Sequence, residues 1–402
     1  MKAKKQNVPV LRFPGFVGEW KEKRLSTIAE LTSSKRVHLS DYVHSGIPFF
    51  RGKEISLLRS SQIPDDVLYI SEEHYEHIRE KYGVPKIGDI LITAVGTLGN
   101  VYRIRDSNEF YFKDGNLIWM KNILENPVFL EVLFDAKSNY VLSSAIGSSQ
   151  KALTITELNK LKFVFPTKQE QKKIAAFLTA VDSKIEQLSK KKALLEQYKK
   201  GMMQKLFSQE LRFKDEQGNE FPDWEEKRLK DCCQINPKTT ELPAEFVYID
   251  LESVANGVLL KENTILEANA PSRAQRLLSK SDVLFQTVRP YQKNNYYFDQ
   301  DGNYVASTGY AQLRSQESAL FLYQIIHTNS FVNRVMARCT GTSYPTINSR
   351  DLGEIPVLIP TVPEQRKIAT FLSSIDKKIT LISTELNHAQ SFKKSLLQQM
   401  FV

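Results

Sequence analysis

The sequence predicts an α+β protein: two globules with mostly antiparallel sheets, separated by two long helices that form an antiparallel coiled coil with pseudo-twofold symmetry. Three observations lead there. A 20-residue string recurs late in the chain, both copies carry heptad spacing, and the stretches before them alternate short β-type runs with turns. A chain of 402 residues has room for two or three domains.

The repeat divides the chain into two copies of one plan. Pro166-Thr-Lys-Gln-Glu-Gln-Lys-Lys-Ile-Ala-Ala-Phe-Leu-Thr-Ala-Val-Asp-Ser-Lys-Ile185 returns as Pro360-Thr-Val-Pro-Glu-Gln-Arg-Lys-Ile-Ala-Thr-Phe-Leu-Ser-Ser-Ile-Asp-Lys-Lys-Ile379, identical at 12 of 20 positions and offset by 194. The same offset relates Lys199–Phe207 to Lys393–Phe401, and Val141–Ser149 to Val335–Ser343. The starts of the halves agree too. Leu11-Arg-Phe13 and Trp20-Lys-Glu-Lys-Arg-Leu25 answer Leu211-Arg-Phe213 and Trp224-Glu-Glu-Lys-Arg-Leu229. Residues 26–140 and 230–334 share little beyond Gly88-Asp-Ile-Leu-Ile-Thr93 beside Ser281-Asp-Val-Leu-Phe-Gln286. The expected segments are a first globule at 1–165, a helix at 166–207, a linker and second globule at 208–359, and a second helix at 360–402.

Thr167-Lys-Gln-Glu170 and Thr361-Val-Pro-Glu364 have the capping-box form that opens a helix. Apolar residues then step by four and three: Ile174, Leu178, Val181, Ile185 and Leu188 in one copy, Ile368, Leu372, Ile375, Ile379 and Ile382 in the other. Lys192, Lys199 and Lys393 fall in the seam, where they are expected to loosen it. About 40 residues give a rod of roughly 60 Å. Parallel rods would force the chain to travel that whole length back before the second helix, so the antiparallel arrangement is expected.

In the globules, Ile47–Phe50, Ile90–Val95, Phe110–Phe112, Leu117–Met120, Phe246–Ile249, Val283–Val288 and Tyr296–Phe298 read as strands. Asp114-Gly115 and Asp301-Gly302 read as hairpin turns. One longer helix is expected in each globule, near Val128–Val141 and Ser318–Arg338.

Composition narrows the function. Hydrophobic residues make up 41% and charged residues 25%, which excludes disorder as the main state. No run approaches the ~20 apolar residues of a spanning helix, so no membrane role is expected. The basic start, Met1-Lys-Ala-Lys-Lys5, is followed by no apolar stretch that would make it a secretory signal. Cys232, Cys233 and Cys339 have neither disulfide-framework nor zinc spacing, and a reducing, cytoplasmic setting is expected. Lys and Arg outnumber Asp and Glu by 55 to 46, an excess that favours a polyanionic partner.

Catalytic patterns fail one by one. Val95-Gly-Thr-Leu-Gly99 lacks the Lys of a phosphate-binding loop, and Asn126-Pro127-Val-Phe129 lacks the second Pro of a base-methylating site and reads as a helix start. Pro222-Asp223-Trp-Glu225-Glu-Lys227 has a nuclease's letters without its spacing. His74 and His77, beside Glu73 and Glu76, lack a third ligand in view, so no metal site is expected. Lys190-Lys-Lys192 is read as a solvated helix face. Polar, basic and aromatic loops remain. The DNA-contact candidates are Lys35, Arg36, Arg51, Lys53, Arg103 and Lys113 in the first globule. In the second they are Lys238, Arg289, Tyr291, Lys293, Asn294 and Tyr344, with the loop Thr287–Lys293 foremost.

The twin Pro-Thr…Glu-Gln-Lys/Arg-Lys-Ile-Ala-x-Phe-Leu…Asp-x-Lys-Ile strings, the paired Trp-x-Glu-Lys-Arg-Leu starts and the Gly88-Asp and Ser281-Asp strands together resemble the specificity subunit of a type I restriction–modification system, over nearly the whole chain. The resemblance implies two target-recognition domains, each reading one half of a bipartite, asymmetric double-stranded DNA target. It implies helices that set the spacing and dock two modification (methyltransferase) subunits, which bring S-adenosylmethionine and methylate adenine. It also implies restriction subunits that bring ATP- and Mg-dependent translocation and cleavage of foreign DNA, and no catalysis or cofactor in this chain. On the residues alone, a DNA-acting enzyme with an unrecognised site and a protein-binding coiled-coil scaffold stay open.

Overall fold

The structure, a computed structural model, describes residues 7–60, 62–148 and 150–402. The basic stretch Met1–Lys5 and Ser149, the last residue of one repeated string, lie outside the described residues. Two compact units emerge: one holds the first globule up to Leu188 together with Glu385–Val402, the other is Ser189–Thr384. Each globule therefore includes the near part of one long helix and the far part of the other.

In the first unit a four-stranded antiparallel sheet runs Glu30–Thr32, Leu117–Lys121, Ile90–Thr93, Val101–Arg103. A second sheet runs Tyr42–Val43, Leu68–Ile70, Ile47–Phe50, Tyr111–Phe112, its last pair parallel. The second unit repeats the scheme with Cys233–Ile235, Tyr310–Ser315, Val283–Gln286, Tyr296–Tyr297 and with Asn263–Leu266, Glu245–Ile249, Tyr304–Ser307, Ala274–Leu277. Again one pair, Glu245–Ile249 with Tyr304–Ser307, is parallel. A two-stranded clasp closes each globule, joining Lys21–Arg24 to Lys162–Phe165 and Glu225–Arg228 to Pro356–Ile359. The repeated start of each half is thereby fixed to the strand that leads into its helix.

Several expectations change in the folded chain. Asp114-Gly115 is a turn and Gly302 a bend, but neither site is a hairpin, because the strands they join, Tyr111–Phe112 to Leu117–Lys121 and Tyr296–Tyr297 to Tyr304–Ser307, belong to different sheets. A two-residue hairpin sits instead at Asn256-Gly257 between Val254–Ala255 and Val258–Leu259, with φ of 51° and 75° as a type I′ turn requires. The two longer helices are broken, into Pro127–Ala136 and Ser138–Ser143, and into Ala319–Ile325 and Asn329–Met336. At the second break the Thr328 hydroxyl accepts the Phe331 N–H. The chain can therefore restart at a new angle, with Phe321 and Leu322 on one segment and Phe331 and Val335 on the other all buried in one core.

The long helices are Lys168–Phe207, 40 residues, and Val362–Gln399, 38 residues. Their seam residues enter the globular cores. Ile174, Leu178, Leu396, Met400 and Phe401 join Trp20 and Phe129 in the first unit. Leu206, Ile368, Leu372 and Ile375 join Trp224 and Phe321 in the second. Trp20 meets Phe401 edge-on at 6.2 Å, and the repeat-related Trp224 meets Phe207 at 6.2 Å. Each unit thus seats the start of one helix beside the end of the other, so the helices run antiparallel. Burial of Phe401 contributes roughly 1.5–3 kcal/mol, and the partly buried Phe207 less.

The glutamates of the expected capping boxes are used differently. Thr167 does accept the Glu170 N–H at 3.3 Å, but the Glu170 carboxylate takes two hydrogen bonds from Arg12, both 2.7 Å. Glu364 likewise takes Arg212 at 3.1 and 2.9 Å. Both carboxylates are buried, where an arginine fork satisfies an anion better than a backbone amide. The next residue completes the lock. Gln171 donates to Pro166 O at 3.0 Å and to Glu125 at 2.8 Å, and Gln365 donates to Pro360 O at 3.0 Å and to Glu317 at 2.6 Å. The repeated Leu-Arg-Phe and Glu-Gln strings are the two sides of this junction. Two of the three seam lysines tie the helices together, Lys393 to Asp182 and Lys199 to Asp376, each at 2.6 Å, while Lys192 lies 3.8 Å from Glu196 of its own helix.

Candidate nucleic-acid interface

Both globules present a loop after the strand that begins at the shared aspartate. Ahead of that strand Gly88 and Ser281 take left-handed φ of 91° and 71°. Asp89 and Asp282 then close the turn by accepting the Lys86 and Ser279 N–H groups at 3.0 and 2.7 Å. The repeated Asp is structural: Asp89 also holds Trp119 Nε1 at 2.9 Å, and Asp282 holds Gln312 at 2.7 Å and Arg314 at 2.8 Å.

A second loop backs the first. In the second unit it is closed by the bridge Thr340↔Thr346, and Ile347 N–H donates to Thr287 O at 3.1 Å. In the first unit the bridge is Ile146↔Ala152, and Leu153 N–H donates to Ala94 O at 2.9 Å. These bridges keep the 194-residue offset, so one frame is built twice.

What the frames carry differs. The loop after Val283–Gln286 holds a 3-10 turn, Pro290–Gln292, between two left-handed non-glycine residues, Arg289 (φ 52°) and Lys293 (φ 55°). Its underside is a buried polar network. The Gln286 side chain donates to Val288 O at 2.7 Å and to Gln292 Oε1 at 3.0 Å, and accepts Asn294 N–H at 3.2 Å. Asn295 Oδ1 accepts Gln286 N–H at 2.9 Å, and its amide faces His327 Nε2 at 3.4 Å. His327 Nδ1 lies 2.6 Å from Tyr323 O, which can only accept, so Nδ1 carries the proton and Nε2 is the acceptor. Burial pushes His327 down to about 4, which keeps the ring neutral at physiological pH. In the first unit the loop after Ile90–Thr93 is tighter: Thr93 Oγ1 donates to Thr97 O and accepts Asn100 N–H at 2.9 Å.

A common frame carrying unlike loops is how one architecture would present two different reading surfaces. A family model described as "Type I restriction modification DNA specificity domain" matches residues 18–197 and, separately, 222–390. The chain belongs to this family. It is a DNA specificity subunit with two target-recognition domains and is itself non-catalytic. It is 25% identical over 400 residues to a putative type I restriction enzyme MjaX specificity subunit of Methanocaldococcus jannaschii, covering 94% of this chain and 92% of that one. To the MjaVIII specificity subunit of the same organism it is 23% identical over 384 residues, covering 87% and 89%. A crystal structure of a type I restriction–modification S subunit from M. genitalium shares the fold at a TM-score of 0.66 and 17% identity, over 98% of this chain and 99% of that one.

Within this specificity subunit the sequence-picked residues separate into groups. In the first domain Lys35, Arg36, Arg51, Lys53 and Lys113 gather around the ends of Ile47–Phe50 and Tyr111–Phe112. Arg36 reaches Asp114 at 3.1 Å, Lys113 N–H donates to Phe50 O at 2.9 Å, and Lys35 Nζ lies 4.6 Å from the Tyr82 ring. Arg51 is tied to Glu54 at 2.6 Å and Lys53 lies 3.7 Å from Asp66. The Arg51 hydrogen bonds hold the buried Glu54 carboxyl below its ordinary range, against a burial that pushes it up. Arg103 stands apart, half-buried against Glu131 at 3.0 Å.

In the second domain Arg289, Tyr291, Lys293, Asn294 and Tyr344 share the loop pair, and exposed Lys238 lines a separate cleft with Arg314 and Arg350. Lys293 and Asn294 anchor the loop: Lys293 Nζ donates to His327 O at 2.8 Å and Asn329 Oδ1 at 2.9 Å, and Asn294 Oδ1 accepts Asn256 N–H at 3.2 Å. Arg289, Tyr291 and Tyr344 carry the outward face, the two tyrosines being exposed. Sequence reading passed over Gln150, an exposed residue in the first domain's bridged loop at the place Tyr344 holds in the second. The 194-residue offset, carried one residue past the matched string, would have found it.

Among the described residues no helix is long and apolar enough to cross a membrane, and no group of three His, Cys, Asp or Glu side chains is placed to hold a metal ion.

Proposed function

We propose that this chain works in the cytoplasm as the DNA-reading part of a type I restriction–modification complex on double-stranded DNA. Residues 1–165 read one half-site and residues 208–359 the other, while the helical segments 166–207 and 360–402 fix the gap. The helices dock two modification subunits, whose S-adenosylmethionine supplies the methyl group for adenine. Restriction subunits add ATP- and Mg-dependent cleavage of unmodified DNA, and this chain holds no cofactor of its own.

The observation that carries the reading is the duplicated frame with unlike loops: Gln150 stands where Tyr344 stands, and Val95-Gly96-Thr97 replaces Val288-Arg289-Pro290. Docking of two equal partners is supported by the helices, each of which repeats an exposed aromatic, Tyr198 and Phe392, at the same offset. A solved chain from a structural study of complex assembly and conformational transition of the type I R-M system shares this fold, at a TM-score of 0.51 and 16% identity.

The test is an exchange of residues 230–358 for the matching segment of another family member. Sequencing of methylated adenines should show one half of the target replaced and the other unchanged. Replacement of both halves contradicts the modular reading.

A further inference from the structure

We infer that Arg289 and Tyr344 form one specificity element, in which Tyr344 positions the Arg289 guanidinium to fork onto a guanine of the half-site read by the second domain. This deepens the DNA-reading role proposed above and rests on it.

The first ground is an unmet need. Of the other half-buried arginines, Arg12 faces Glu170, Arg103 faces Glu131 and Arg314 faces Asp282, while Arg334 donates to the Pro356 carbonyl. Arg289 makes no ion pair among the described residues, and its Nε is buried without a hydrogen-bond partner. Arg276 shares the orphaned Nε but lies in the strand Ala274–Leu277, away from any loop tip. A buried donor left open in the free protein costs stability unless something completes it.

The second ground is how firmly Arg289 is aimed. It precedes Pro290, a setting that favours extended backbone, yet it holds φ 52° and ψ 55°. Its N–H donates to Pro345 O at 2.7 Å, and the neighbouring Val288 bridges to Thr346, so the bridged loop sets its direction. The guanidinium carbon then lies 4.1 Å from the centroid of the exposed Tyr344 ring. Stacking fixes the plane of the fork and leaves its edge free.

A fixed fork fits either of two acceptors on DNA, a phosphate or the O6 and N7 edge of guanine. A phosphate contact holds equally on every sequence, whereas a fork aimed at O6 and N7 reads one base, and Arg289 stands at a place where the two domains differ, Val288-Arg289-Pro290 against Val95-Gly96-Thr97.

The test uses the full chain in cells together with its modification subunit, reading adenine methylation by sequencing for Arg289→Lys, Tyr344→Leu and Tyr344→Phe. Arg289→Lys should relax one guanine position in one half-site, with discrimination there falling by about five- to 150-fold, the worth of one bidentate pair. The other half-site should stay intact, which also reports that the chain has folded. Tyr344→Leu should relax the same position, and Tyr344→Phe, which keeps the stacking face, should restore it. An unchanged motif with uniformly weaker binding and a shallower salt dependence would mark a phosphate contact and overturn the inference. A half-site with no guanine would overturn it as well. Methylation that never depends on the wild-type chain would instead bring down the reading beneath it.

Discussion

Lys393 Nζ on the second long helix lies 2.6 Å from Asp182 Oδ1 on the first. One repeat away the roles exchange, with Lys199 of the first helix 2.6 Å from Asp376 of the second. Both pairs are partly open to solvent, so each is worth about 0–1 kcal/mol and its value lies in register. Lys393→Ala should therefore shift the urea midpoint little. Lys393→Glu should shift it more by setting two carboxylates face to face, and adding Asp182→Lys should recover most of that loss. Additive losses in the double variant would contradict a direct pairing.

The Arg212–Glu364 junction should behave differently because Glu364 is fully buried, with Trp224 Nε1 also donating to it at 3.2 Å. Arg212→Ala strands an anion in an apolar site, at a cost of about 3–5 kcal/mol. Adding Glu364→Gln removes the charge and should regain part of the loss. Urea unfolding followed by tryptophan fluorescence measures both, and a loss near zero for Arg212→Ala would refute the role given to this pair.

His327 gives the second domain a pH dependence of known sign. Its folded value, about 4, lies below the ordinary histidine value of 6.5. Between those limits the unfolded chain takes up a proton that the folded chain refuses. The stabilisation is thus fully present above pH 6.5 and is lost as pH falls toward about 4, on the order of 3 kcal/mol over the window. His327→Gln should flatten that part of the stability–pH curve. An equally steep curve in the variant would show that other groups cause it.

Two glycines should respond to alanine with opposite signs. Gly201 lies inside the first long helix with open space around an added Cβ, so Gly201→Ala should stabilise by about 0.5–1 kcal/mol. At Gly257 φ is +75° and an added Cβ would strike the Tyr323 hydroxyl, so Gly257→Ala should destabilise by about 1–2 kcal/mol. Thermal melts of the two variants moving in the same direction would contradict this.

The parts of the fold that local pattern determines were legible in the sequence. The heptad steps from Ile174 and Ile368 give the long helices, and Ile47–Phe50 and Leu117–Met120 lie where strands form. Pairing was not legible. Nothing near Asp114-Gly115 says that Tyr111–Phe112 will leave the sheet of Leu117–Lys121 and join Ile47–Phe50 in parallel, because that choice is made by side chains more than 60 positions upstream. Glu170 and Glu364 show the same limit: their spacing from Thr fits a local cap, and a distant arginine outcompetes it. At the candidate interface, composition found Arg289 and Tyr344 separately. Their stacking, the left-handed backbone and the anchoring of Lys293 by His327 and Asn329 depend on the bridged loop, which only the fold brings near.

The central claim is that one chain holds two unlike reading domains for a bipartite target, and genome-wide sequencing of methylated adenines in cells with and without this chain tests it most directly. An asymmetric motif with unspecified bases between its halves, the half-sites about one helical turn (10–10.5 bp) apart, is expected, and it should disappear when the chain is deleted. A methylation pattern indifferent to the chain, or a chain-dependent motif that is continuous and symmetric, would contradict it.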